Sequence, residues 1–280
     1  MRLAAVLTLV ALASQAQTGA SRLILAAVTD ERGRAVVDIG ADDFVVSEGG
    51  ATREILSARI ADYPIVLLLD AGPAARNDLG VMQRAALRFV ERLGHDRPVA
   101  VGTFGDPPRM LTTFDDSRET LVARVNDLAV GGAESRLFAG AALAATTLHD
   151  LGALFSSIVI VSATPVDDSK EAPEQMVGAV VDSGVIVHVI ANRPGGTGSG
   201  FRVAGPSDRA LRTLVEQTRG EFTPVYSAAS YQSALDRLVE RLGSEMLVEY
   251  LVPPGSKPLD AKIGIRLPGA RVRGLGVAPK

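Results

Sequence analysis

Three short runs, PIVLLLD (residues 64–70), SIVIVS (157–162) and VIVHVIA (185–191), are almost continuously apolar and lack the polar alternation of a half-exposed strand. Strands buried on both faces have this pattern. Helical periods lie between them. Leu79, Met82, Ala86, Phe89 and Leu93 step by three and four, with Asn77 or Asp78 placed to cap the start and Gly94 the end. Asp116-x-x-Glu119 opens a helix carrying Leu121, Val125 and Leu128, and Pro173 opens one carrying Met176, Val177, Val180 and Val181. Ser207 and Asp208 precede Leu211, Leu214 and Val215 in a helix that stops at Gly220, and a last helix runs from about Ala229 to Gly243. Buried strands alternating with helices predict a doubly wound, mostly parallel six-stranded sheet, with strands at 64–70, 98–104, 109–113, 156–162, 185–191 and 221–226. Asp106-Pro107-Pro108 is too short for a crossover helix, so the third strand is an antiparallel edge.

The flanks follow another pattern. LILAAVTD, FVVSE and REILSARI, within residues 22–60, are β-type runs broken by Glu31-Arg32-Gly33 and Glu48-Gly49-Gly50. Residues 245–252, 260–267 and 270–277 look the same, separated by Pro253-Pro254-Gly255 and Pro268-Gly269. Two or three isolated strands cannot hold a core, so the two sets are expected to pair into one small β-sandwich with the α/β domain inserted in it. The expected division is a signal peptide at 1–16, N-terminal sandwich strands at 17–62, the α/β domain at 63–243 and C-terminal sandwich strands at 244–280.

The signal peptide rests on Arg2, an apolar run from Leu3 to Ala13, and small residues at Ser14-Gln15-Ala16. The run is shorter than the about 20 residues a membrane span needs, and no later stretch avoids charge or glycine for that long, so the expected mature chain is soluble and periplasmic or extracellular. The chain has no cysteine, which removes lipidated Cys, disulfides and thiolate metal sites together. A formal net charge of −3 argues against nucleic acid as a partner. The three histidines, His95, His149 and His188, are too scattered for metal-ligand spacing, and His188, inside an apolar strand, is expected to be a packed core residue. There is no G-x-S-x-G elbow, and GGTGSG (195–200) lacks the ending of a phosphate loop, so neither hydrolase nor nucleotide chemistry has support and the chain is not expected to be an enzyme. The glycine-rich stretch from Asn192 to Pro206 is expected to be a mobile surface loop.

VTDERGRAVVDIGADDFVVSEGG (Val28 to Gly50) is similar to the N-terminal signature of the VWFA-related family of secreted bacterial proteins. PIVLLLDAGPAA (Pro64 to Ala75) resembles the first strand and loop of a von Willebrand factor A domain, and GGAESRLFAGAALAA (Gly131 to Ala145) resembles its second loop and helix. That resemblance implies a divalent-cation site, the MIDAS, at the carboxyl ends of the strands, held by D-x-S-x-S, a Thr of the second loop and an Asp after the fourth strand. Here Asp70 matches the first Asp and Ser135 stands for the Thr, but Gly72, Ala74 and Ala163 carry no side-chain oxygen. Mg²⁺ binds weakly when most of its shell is water, so the expectation is a degenerate site with no metal and no cofactor.

The remaining crevice is taken as Asp70, Gly72, Ser135, Arg136, Arg76 and Thr164. Asp70 has two readings, a polar binding role or a cap on the next helix. Without a metal its carboxylate needs a partner, and Arg76 or Arg136 would supply a guanidinium. Asp167 and Asp168 either restore a displaced metal site with Asp70 and Ser135 or form a solvated loop or helix cap. The functional expectation is an exported protein-interaction module, adhesive or scaffolding. Its rivals are a structural envelope-assembly domain acting through the sandwich, and metal-dependent adhesion through a rearranged site of Asp70, Ser135 and Asp167.

Overall fold

A computed structural model describes residues 20–36, 38–164, 167–168, 172–193, 206–257 and 259–279. The proposed signal peptide and most of the glycine-rich loop lie outside these residues. The chain begins with β1 (Ala20–Asp30), β2 (Phe44–Glu48), β3 (Ala51–Arg53) and β4 (Ile55–Ile60). The α/β part follows, as β5 (Ile65–Leu69), α1 (Leu79–Arg92), β6 (Val99–Thr103), β7 (Arg109–Met110), α2 (Arg118–Asn126), α3 (Leu137–Asp150), β8 (Ser157–Ser162), α4 (Pro173–Asp182), β9 (Ile186–Asn192), α5 (Pro206–Gln217), β10 (Phe222–Val225) and α6 (Ser230–Leu242). β11 (Glu245–Val252), β12 (Ala261–Ile265) and β13 (Ala270–Pro279) end it.

The central sheet runs β10-β9-β8-β5-β6-β7, parallel except for β7, which pairs antiparallel with β6 at the edge as its short connection requires. Alternate residues of the buried strands feed two cores. Val66, Leu68, Ile158, Ile160, Val187 and Val189 pack with α3, α4 and α5, while Ile65, Leu67, Leu69, Val159 and Val161 pack with α1, α2 and α6.

N- and C-terminal strands share their sheets. β1 lies between β11 and β13, β4 borders β11, and β12-β2-β3 forms a second, three-stranded sheet. The run REILSARI, expected as one strand, divides at Glu54: β3 pairs with β2, whereas β4 pairs with β11. β1 is buried on both faces for a reason its sequence does not state. Ile24, Ala26 and Val28 face Phe44 and Val46 across the sandwich, while Leu23, Leu25 and Ala27 join the core beneath α1 and α6. The four-stranded sheet is therefore a middle layer. Inside the sandwich a buried ion pair joins Arg22 to Glu48, and Arg22 also donates to the Ser256 carbonyl at 2.6 Å.

Entry to and exit from the α/β part are clamped together. The Ala61 N–H donates to the Glu245 carbonyl at 2.8 Å, and Arg97 donates to the carbonyls of both Ala61 and Leu242 while its guanidinium lies 5.2 Å from the Tyr63 ring centre.

Three helix starts differ from expectation. Ser117, not Asp116, caps α2, its Oγ accepting the Thr120 N–H at 3.2 Å, while Asp116 accepts the Thr113 N–H at 2.7 Å. α5 begins at Pro206, and the Asp208 carboxylate inside its first turn pairs with Arg193 and Arg212. Asp78 stands at the N-cap of α1 but makes no side-chain capping bond; its carboxylate turns across the top of the sheet instead.

Candidate functional site

β5 ends at Leu69, and Asp70 continues its pairing by donating its N–H to the Val161 carbonyl at 3.0 Å. This places the Asp70 side chain at the carboxyl end of the sheet, fully buried. Its Oδ1 accepts the Gly72 N–H at 2.9 Å; its Oδ2 accepts the Ala163 N–H at 3.0 Å and the Ser162 hydroxyl at 3.3 Å. Burial raises the Asp70 pKa above the ordinary carboxylate value, opposed by these hydrogen bonds and the neighbouring Ser135 hydroxyl. No guanidinium contributes. Arg136 pairs with Asp106 at 3.2 Å and with Glu134 at 3.2 Å, and Arg76 is exposed on the short helical turn Pro73–Asn77. The expectation that an arginine takes the cation's place is thus corrected, because two backbone N–H groups and a hydroxyl reach the buried carboxylate first.

The loops above Asp70 close tightly. A β-carbon placed on Gly72 would stand 2.9 Å from Ser135 Cβ and 3.2 Å from Ser135 Oγ. Gly131 donates its N–H to the Ala71 carbonyl at 2.9 Å, and Arg136 its N–H to the Phe104 carbonyl at 2.8 Å, drawing the second loop onto the first. Ser135 is buried, with no hydrogen bond of normal geometry at its Oγ among the described residues. Thr164 is half-buried and its N–H donates to Ser162 Oγ at 3.2 Å. Ala163 is buried and meets Asp70 only through its backbone.

Asp167 caps α3, and Asp168 braces the loop that precedes it. Asp167 Oδ1 accepts the Phe138 N–H at 3.0 Å in the first turn of α3, and Asp168 Oδ2 accepts the Ser135 N–H at 3.0 Å while its own N–H donates back to the Ser135 carbonyl at 2.8 Å. Among the described residues no group of three His, Asp or Glu side chains is arranged to hold a metal ion.

A second polar group lies beside Asp70. The hydroxyl of fully buried Tyr231 donates to the Ser162 carbonyl at 2.9 Å and faces Asp78 Oδ2 at 3.4 Å, which also accepts from Asn192 Nδ2 at 3.0 Å. Burial first, then the Asp78 and Asp70 carboxylates, push the Tyr231 phenol upward, so it remains a neutral donor. Sequence reasoning missed this trio. Asp78 reads as a helix cap, and Tyr231 carries no signal of its own; the two share only a place at the start of helices that follow sheet strands.

The α/β part has the fold of von Willebrand factor A domains and is accompanied by separate antiparallel sheets. In solved structures it is similar to a von Willebrand factor type A protein from Catenulispora acidiphila (12% identity, TM-score 0.55, 95% of this chain and 74% of that one). It is also similar to proximal thread matrix protein 1 from the mussel byssus, described with a zinc-occupied MIDAS motif (16% identity, TM-score 0.54, 73% of this chain and 50% of that one). The chain thus matches half the length of the mussel protein. By sequence alone, no family model and no curated protein matches.

Proposed function

We propose that this chain is an exported, non-catalytic protein-interaction module that binds its partner through the loops at the Asp70 end of the sheet without a divalent cation. The observation that carries this reading is the state of Asp70. Both its oxygens are engaged by protein donors, and the backbone of Gly72 sits where a metal-binding serine would need room beside Ser135. One carboxylate and one hydroxyl make a poor shell for a hard cation that wants six oxygens. The crevice is degenerate on this reading, and partner contacts come from its rim. Tyr226, 69% exposed after β10, and Arg76, exposed after β5, are the anchors offered there. Export rests on the N-terminal sequence pattern, and no helix among the described residues is long and apolar enough to cross a membrane.

Affinity capture from an envelope fraction tests the proposal. The expected result is a partner retained equally in Mg²⁺ and in EDTA, and lost from an Arg76→Glu/Tyr226→Ala variant. Retention that requires the cation contradicts it. The structural alternative has its own observation, because Leu56 and Ile60 are 45% and 58% exposed on the edge strand β4. A partner lost on Ile60→Lys and kept by the rim variant would establish that alternative instead.

A further inference from the structure

Where β9, β10 and α6 meet β1 and β13 lies a cleft of about 930 Å³. His188 lines it. Its neighbours Val187 and Val189 face the α3–α5 core, so alternation along β9 turns the imidazole the other way, toward α6. His188 is buried, and neither ring nitrogen has a hydrogen-bond partner among the described residues. A neutral imidazole always presents one N–H and one lone pair, and buried polar groups rarely stay unmet. Burial, with Arg241 and Arg273 nearby, depresses the His188 pKa to about 3, which keeps the ring neutral.

The walls carry a surplus of positive charge. Arg34, Arg237, Arg241, Arg271 and Arg273 line the cleft against two glutamates, Glu221 and Glu240. Arg34 pairs with Asp30, Arg241 with Glu221, and Glu240 with Arg92 outside the cleft. Arg237 and Arg271 have no hydrogen bond or ion pair among the described residues, and Arg273 donates only to the Arg219 carbonyl at 3.4 Å. Arg237, Arg271 and Arg273 thus line the cleft with no carboxylate partner among the described residues, beside a buried imidazole with no hydrogen-bond partner there either. The size and the position between two packed units suit a small molecule rather than a macromolecular surface. Ala27, Ile190 and Leu238 add apolar lining.

We infer that this cleft binds a small organic anion, a carboxylate or phosphate group on an apolar body, with the oxyanion held by Arg237, Arg271 and Arg273 and the body laid toward His188. The test uses the full mature chain, titrated calorimetrically with phenyl phosphate and with phenylacetate at fixed ionic strength. Saturable binding of one or both is expected. Tighter phenyl phosphate assigns a phosphate ester, and tighter phenylacetate a carboxylic acid. An Arg237→Ala/Arg271→Ala variant, altered only at exposed side chains, should bind about tenfold more weakly or worse, as loss of charge-assisted hydrogen bonds requires. The His188 ring ¹⁵N resonances should move on saturation. No saturable binding of either probe, equal affinity in the double variant, or His188 resonances that stay fixed would each overturn the inference.

Discussion

Replacing Gly72 by serine restores one oxygen of the metal motif on paper, and should damage the protein instead. The added β-carbon would lie 2.9 Å from Ser135 Cβ and 3.2 Å from Asp70 Oδ1. Ser135 Cβ is not the free end of a flexible chain. Its residue is tied through both N–H and carbonyl to Asp168, so the clash must be relieved by moving one loop away from the other. Overpacking of this kind costs about 1–3 kcal/mol. For a domain of this size a melting temperature moves roughly 2–4 °C per kcal/mol, so Gly72→Ser should melt ~2–12 °C lower. A double-mutant cycle with Ser135→Gly, followed by thermal denaturation, isolates the contact. Removing the Ser135 β-carbon should recover much of the loss, as coupling between touching residues requires. The same reasoning means that Gly72→Ser, Ala74→Ser and Ala163→Asp together will not create a cation site. A Gly72→Ser protein that melts with the wild type, or gains a Mg²⁺-dependent rise, would refute the closed crevice.

Gly140→Ala places a β-carbon 2.5 Å from Phe104 Cβ, where α3 packs on the end of β6, and should cost about 1–3 kcal/mol in chemical denaturation. His188, with its pKa at about 3 in the folded protein against 6.5 unfolded, excludes a proton that the unfolded chain binds. Its contribution to stability is complete above pH 6.5 and is lost on acidification toward pH 3, at about 1.4 kcal/mol per pH unit; His188→Leu should flatten that slope in a pH-stability profile. Glu245 has the opposite sign, because burial raises its pKa above 4.5 and its stabilising contribution is lost as pH rises from there. Glu245→Gln, which keeps a partner for the Tyr63 hydroxyl, should remove this loss and be more stable than wild type at neutral pH.

The doubly wound sheet was legible because strands buried on both faces and amphipathic helices have distinct periods, and Asp106-Pro107-Pro108 is too short for anything but an edge strand. The pairing of the terminal strands was legible from necessity, since neither set can bury a core alone. The double burial of β1 was not, because a strand packed on two sides and one packed on a single side differ only in Leu23, Leu25 and Ala27 against a core that lies far along the chain. Residue identity singled out Asp70 and Ser135, and Gly72, Ala74 and Ala163 as positions without a side-chain oxygen, but not how close the loops come. Spacing cannot reveal that Asp70 takes backbone donors, that Arg136 turns to Asp106, or that Asp78 leaves its helix for Tyr231 and Asn192. These are competitions between polar groups from distant segments, decided by packing.

The central claim is an interaction crevice that works without a cation, and thermal melting in millimolar Mg²⁺, Mn²⁺ and Ca²⁺ against EDTA tests it most directly. A specific cation at a hundred times its Kd would add about 2.7 kcal/mol to the folded state, a rise of several degrees. With Asp70 satisfied by protein donors and Gly72 packed on Ser135, the account predicts identical melting temperatures in all four conditions. A reproducible rise that disappears in Asp70→Ala would contradict it and establish metal-dependent binding at this site.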